Sequence, residues 1–318
     1  MNLLLLTFGP DLHNHQQAAF ALLTQLAESE VIRRVVVMTD APEYYAFAQD
    51  ERVTVRVLSP EVLRDWRGPH DFFWRIKIRA LQEMAARFPD GHLLYTDADT
   101  FRFRSLRPVV AGLDRGENFM HAREGALAEL RTRTERRMWK QIRGKSFAGL
   151  EMTDRRVMYN AGVVALPRSK AAATLDLALT LCDALCAAGV TRRLIEQFAL
   201  SLALAETGPL RAANGSIGHY WGNKEGWNEV IRDFLVRHQL QRATFAELVE
   251  ATRTVDFRAV PIYSKSSSTQ RKLRRFVDAR FGKRTYAYVP EEGGAVDERS
   301  ERWVARREGG GYSILDWR

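Results

Sequence analysis

Leu93-Leu94-Tyr95-Thr96-Asp97-Ala98-Asp99-Thr100 is a short apolar run that ends in two carboxylates, and its reading decides the fold. It follows the helix-breaking Pro89-Asp90-Gly91, so it reads as a buried strand opening onto an acidic turn. Upstream, residues 76–88 repeat apolar side chains at helical spacing, 53–58 alternate before Ser59-Pro60, and 35–39 form a β-branched run ending at Asp40. Residues 3–8 are apolar up to Gly9-Pro10, and 18–27 are helical in pattern. Downstream, 124–143 read as a strongly basic helical stretch and 163–166 as a strand before Pro167. Helical patterns then cover 171–188, 192–206, 228–241 and 245–254, with an aromatic loop at 219–227. Strands alternating with helices imply an α/β fold: a mostly parallel, Rossmann-like sheet with helices on both faces, plus a mainly helical C-terminal extension. Ligands in such sheets bind beyond the carboxyl ends of the strands, here Gly9, Asp40 and Asp97.

Asp97 and Asp99 point to opposite faces if the segment stays extended, but a turn lets their oxygens converge on one hard cation. Mg²⁺ or Mn²⁺ held there would bridge two phosphates and neutralise charge on a departing diphosphate. The alternative is a solvated turn whose Asp caps the next element.

Five landmarks then occur in order: Trp74-Arg75-Ile76-Lys77-Ile78, Asp97-Ala98-Asp99, Asn160-Ala161-Gly162, Glu196-Gln197, and the loop from His219 through Gly222, Lys224 and Glu225 to Trp227. In this order they resemble the glycosyltransferases of the GT-A fold, particularly family 8 and its bacterial relatives, over residues 1–230. The resemblance implies that Asp97, Asp99 and His219 bind a cation on the diphosphate of a nucleotide sugar, and imidazole suits Mn²⁺ better than Mg²⁺. It places Ala98, Asn160 and Gly162 beside the donor, Glu196 and Gln197 at the sugar's reacting side, and Gly222 where the backbone approaches the phosphates. The family's loop lysine falls on Glu225 and its proline on Gly226, so Lys224, one residue early, is offered in its place, with Arg75 or Lys77 completing the clamp. Thr7, Phe8 and Gly9 would meet base and ribose with Asp40 nearby. Core packing accounts for Phe8 as well as stacking on uracil does, and Asp40 would equally cap a helix.

The same resemblance divides the chain into a GT-A domain at 1–262, with a nucleotide-binding half at 1–110 and an acceptor side at 111–262, and a basic extension at 263–318. The expected activity is metal-dependent transfer of a sugar, from a UDP-linked donor and with retention, to a hydroxyl of a glycan, lipid or protein acceptor. An inverting route would need a carboxylate base such as Asp154 or Glu196. A sugar-phosphate nucleotidyltransferase is the alternative enzyme, although the glycine-rich basic loop such enzymes carry after the first strand is absent at residues 9–14. Phosphate-cradling Gly-x-x-x-x-Gly-Lys and Gly-x-Gly-x-x-Gly motifs are missing too. His13 and His15, with no third ligand in view, read as surface or capping residues. Cys182 and Cys186, four apart in a helical pattern, read as buried thiols.

The 318 residues carry 48 basic and 39 acidic side chains, a net charge of +9 that invites a nucleic-acid reading. Its distribution argues otherwise. Residues 1–110 hold 13 basic and 14 acidic side chains, whereas the surplus sits in 131–145 and in 265–284. These segments lack the aromatic interleaving of a single-strand groove, so no nucleic-acid partner is expected. They are expected instead to lie solvated or to touch an anionic acceptor or membrane surface. The longest apolar runs are far short of the ~20 residues of a bilayer span. A cytoplasmic protein, with peripheral membrane contact as an option, is the expectation.

Overall fold

The computed structural model describes residues 1–263 apart from 29 and 131, together with Leu273, Phe276 and the backbone of two short strands, β12 (Thr285–Tyr288) and β13 (Asp297–Ser300). The chain separates into two units, Met1–Ser264 and Lys265–Arg318, and most of the basic segment 265–284 lies outside the described residues. Strands β12 and β13 pair antiparallel in the second unit. No helix among the described residues is long and apolar enough to cross a membrane.

Seven strands form the central sheet of the first unit. Its N-terminal half is β1 (Asn2–Thr7), α1 (Leu12–Leu26), β2 (Arg34–Thr39), β3 (Val53–Val57), α2 (Pro60–Arg67), α3 (Arg75–Arg87) and β4 (Leu93–Thr96). These are followed by β5 (Thr100–Arg102), α4 (Arg107–Asp114), β6 (Asn118–Ala126), α5 (Arg133–Ile142), β7 (Ser146–Phe147), β8 (Leu150–Glu151) and β9 (Val157–Leu166). The chain closes with α6 (Ala171–Ala187), α7 (Ile195–Thr207), β10 (Leu210–Ala212), β11 (Ile217–His219), α8 (Lys224–Leu240) and α9 (Phe245–Ala251). The strand order is β10-β6-β9-β4-β1-β2-β3, and β9 alone runs antiparallel to its neighbours. Leu3, Leu5, Val35 and Val37 face one buried layer while Leu4, Val36 and Tyr95 face the other, which is why the strands read as continuous apolar runs.

Four sequence readings are corrected. Helix α1 begins at Leu12, capped by Asp11, because His13 through Gln17 hid its first turns. Ser59-Pro60 starts a helix rather than ending a strand alone, since Ser59 caps α2 and proline suits a first helical position. Glu124 to Ala126 finish β6, and the basic helix is only Arg133–Ile142. The strand expected at 163–166 is β9 from Val157 onwards, so Asn160, Ala161 and Gly162 lie within it.

One aromatic layer fixes β5 and β11 against the C-terminal helices. The ring of Phe101 stacks on Phe257 at 4.7 Å and lies 4.5 Å from Trp227, and a Cβ on Gly218 would meet that ring at 2.5 Å. Phe101→Ala is therefore expected to lose about 3–5 kcal/mol of stability, read from urea unfolding.

Candidate active site

Beyond Thr96 the amide of Asp97 donates to Gly162 O at 2.8 Å, and the Thr100 hydroxyl donates to Asp97 O at 2.7 Å, which turns the chain back at once. It continues as β5, whose antiparallel partner β11 sets His219 opposite Thr100. His219 Nε2 thus lies 3.1 Å from Asp99 Oδ1 and 3.8 Å from Asp97 Oδ2, and one donor atom from each of the three groups lies within 4.8 Å of the others. Asp99 and His219 are buried and Asp97 is half-buried.

The ring of His219 is oriented from behind. Its Nδ1 lies 2.9 Å from Asn160 Oδ1, an oxygen that already accepts from Gly162 N at 3.0 Å. An amide oxygen does not donate, so Nδ1 carries a proton, and Nε2 is the nitrogen turned towards the carboxylates. Glycine is required at 162, because a Cβ there would lie 2.2 Å from His219 Nδ1. The His121 ring packs on His219 at 5.2 Å and nearly perpendicular, with Nε2 donating to Ile217 O. Burial, reinforced by the His219 charge, pushes His121 down to about 4, so it is neutral at pH 7. Two hard carboxylate oxygens and one imidazole nitrogen held by a fixed outer partner suit a divalent first-row ion such as Mn²⁺. Burial alone would raise the pKa of Asp99, yet hydrogen bonding and charge from His219, and Lys224 Nζ at 2.9 Å, hold it well below the usual carboxylate range.

Beneath the cluster, α3 sends Lys77 into the core. Its ammonium lies 3.2 Å from Asp97, 3.1 Å from Glu196 and 3.2 Å from Ala161 O. Burial disfavours that charge, but Asp97 and then Glu196 outweigh it and raise the pKa of Lys77 above its ordinary value. Glu196, in the first turn of α7, is also buried, and burial raises its pKa against the opposing pull of Lys77. The Tyr95 hydroxyl donates to Asp97 at 2.5 Å, which completes the pairing of that carboxylate.

On the open side stands a residue that sequence reading missed. Glu124 accepts from Gln197 Nε2 at 2.9 Å and from Asn160 Nδ2 at 3.3 Å, while Gln197 Oε1 accepts from Ala161 N at 3.4 Å. Two register shifts between β6 and β9 put it there. Between Met120 and Ala122 the partners on β9 advance from Val164 to Asn160, and Glu124 is the unpaired extra residue between Arg123 and Gly125. Bulges re-aim side chains next to active sites, and no spacing rule in the sequence marks them.

The remaining expected residues divide. Thr7, Phe8, Gly9 and Asp40 do gather at the carboxyl ends of β1 and β2, where both Asp40 oxygens accept from Gly9 N, at 3.0 and 3.2 Å. Ala98 packs partly buried beside Asp97 and Asp99 against the neighbouring core. His15 is buried, bonded to Gly9 O at 2.8 Å and stacked on Tyr44, so it buttresses this loop instead of lying on the surface. Arg75, two residues from Lys77, turns away: its guanidinium holds Asp183 at 2.7 and 3.0 Å and Trp66 O at 2.9 Å. Gly222 makes room for the Tyr263 ring, which a Cβ would meet at 2.2 Å. Lys224 reaches Asp99 from the first position of α8, whereas Glu225 is exposed.

No protein-family model and no curated protein matches the sequence. Among solved structures, the chain is similar to the galactosyltransferase LgtC in complex with donor and acceptor sugar analogues, at 15% identity and a TM-score of 0.50, over 81% of this chain and 98% of that one. An active-site mutant of LgtC matches at 14% identity and TM-score 0.46, over 92% and 98%, and mouse xyloside xylosyltransferase 1 in its apo form at 13% and 0.43, over 73% and 93%. The chain has the GT-A fold, a mixed α/β architecture around a mostly parallel seven-stranded sheet.

Two substitutions probe this construction. Lys77→Met leaves Asp97 and Glu196 without their buried partner and is expected to lose about 3–5 kcal/mol in urea unfolding, part of which returns when Glu196→Gln is added. Gly162→Ala displaces His219 and should weaken Mn²⁺ binding by about 10–100-fold in calorimetric titration.

Proposed function

We propose that this chain is a glycosyltransferase that moves a sugar from a nucleotide diphosphate donor, UDP-linked, to an acceptor hydroxyl. The observation that carries the reading is the Asp97–Asp99–His219 cluster at the carboxyl end of a central strand in a GT-A fold. These three side chains would hold a divalent ion, Mn²⁺ on the chemistry of the donor set, whose charge favours departure of the nucleoside diphosphate. Lys224, half-exposed beside Asp99, supplies the cation for a phosphate that the displaced loop lysine leaves unmet. Asn160, Gln197 and Glu196 line the sugar side, where their amides and carboxylate meet hydroxyl groups. Glu124 presents its carboxylate beside them on the acceptor side.

Lys77 pairs with both Asp97 and Glu196 in a dry site and fixes the distance between the metal-binding and sugar-binding carboxylates. Retention of anomeric configuration, and a UDP rather than a GDP donor, rest on the order of the five sequence landmarks. The nucleotidyltransferase alternative is disfavoured at the first strand, because the loop after β1 is closed by Asp40 and His15 and offers no cluster of phosphate-binding cations.

Incubation with UDP-, GDP- and ADP-sugars is expected to release UDP in the presence of Mn²⁺ and to stop when the ion is chelated. The Asp97→Ala, Asp99→Ala double variant should lose roughly 100-fold or more of that release. Equal release by wild type and double variant would sink the reading, and proton NMR of the product's anomeric centre tests retention.

A further inference from the structure

Helix α5 stands between β6 and β9 and carries Arg133, Arg136, Arg137 and Lys140, with Arg143 as its cap residue. At 3.6 residues per turn these five cations fall within roughly 120° of arc and run about 15 Å along the axis. All five are exposed. The opposite face is closed, with Met138 and Ile142 wholly buried. Some exposed arginines elsewhere are paired, as in Arg64–Glu61, Arg107–Glu30 and Arg253–Glu250, and others stand singly among the described residues, but α5 gathers its cations on one face. Among the described residues none of these five makes an ion pair, and the helix's own acid, Glu135, is spent in the capping box with Thr132. Like charges three and four apart oppose the helix that carries them. A stripe kept under that penalty, with its neutralising acid turned elsewhere, points to a partner that brings its own negative charge.

The stripe is fixed next to the site. Gln141 accepts from Thr191 N and Oγ1 at 2.9 and 2.8 Å and donates to Gly189 O, tying α5 to the loop that leads into Glu196 and Gln197. At its other end Glu135 acts on Glu124, whose pKa is raised by burial first and also by this neighbouring carboxylate. The surface between 127 and 156 contributes no exposed large hydrophobic side chain that could enter a bilayer. Four of the five cations are arginines, whose planar forks suit carboxylate, phosphate and sulfate groups.

We infer that α5 is the docking face for an anionic glycan, so that the acceptor of the proposed transfer carries acidic groups flanking the hydroxyl that reacts. This rests on the glycosyltransferase reading for the word acceptor, but not for the binding surface.

The test uses the full chain and three probes: a labelled heparin-derived octasaccharide, neutral maltooctaose, and vesicles of phosphatidylglycerol with phosphatidylcholine. Wild type should bind the acidic octasaccharide far more tightly than maltooctaose, and less tightly as salt is raised. Arg136→Glu, Arg137→Glu, Lys140→Glu together should weaken that binding by at least about tenfold, with metal-dependent UDP release from the donor unchanged. The milder Arg133→Gln, Arg137→Gln, Lys140→Gln set should fall between, and equal thermal midpoints show that both variants fold. Octasaccharide binding that survives charge reversal overturns the inference, as does equal binding of maltooctaose. Vesicle binding that depends on α5 while the octasaccharide is ignored assigns the face to a membrane and overturns it too. Loss of UDP release in wild type with α5-dependent octasaccharide binding intact would instead remove the proposed function and leave the surface.

Discussion

The buried ammonium of Lys77 is the interaction on which the rest of the site depends. Three carboxylates, Asp97, Asp99 and Glu196, are gathered where little water reaches, and such charges are tolerated only when each is paired. Lys77 joins two of them and also bonds the backbone of Ala161, so one side chain of α3 ties together the end of β4, the middle of β9 and the start of α7. His219 and Lys224 perform the same service for Asp99 from the other side. The site is thus a small ionic lattice, with the cations in its floor set by the fold and an opening towards Glu124.

That lattice sits on the least regular part of the sheet. β9 runs against its neighbours and slips twice in register against β6, and the slip frees the amides of Ala161 and Gly162 for Gln197 and Asn160. A regular ladder would spend those groups on strand pairing. The omission of a side chain at Gly162 then admits the His219 ring, so a single glycine links the irregular strand to the cluster that would hold a cation. Regular strands supply rigidity, and the break in regularity supplies the donors.

The net charge of +9 acquires a location in the same way. The half of the sheet around β1 to β4 is nearly neutral, since its acids are matched by nearby cations. The described part of the surplus is concentrated on α5, where no acid answers it. A number that describes the whole chain therefore carries little information until the helix that bears it is placed.

Much of the fold could be read from the chain because strand burial leaves a trace in it: residues 3–6, 35–38 and 93–95 are apolar without interruption since both sheet faces are covered. Asp97 and Asp99 were legible as a pair for the same reason, standing where such a run stops. Local rules misled where polar residues occupied a helix's first turns, at His13 to Gln17, and where Ser59-Pro60 served as a start and not a stop. What only the tertiary structure decided is which distant groups meet. Sequence spacing cannot show that Lys77 turns inwards while Arg75 turns to Asp183, because both positions lie on one helix and the difference is made by α6 and α7 packed against it. Nor does spacing reveal Glu124, which reaches Asn160 and Gln197 through a bulge. The chain by itself determined its layers and the place where its carboxylates emerge, since burial acts residue by residue; the pairing of those charges was left to the packing of elements far apart in sequence.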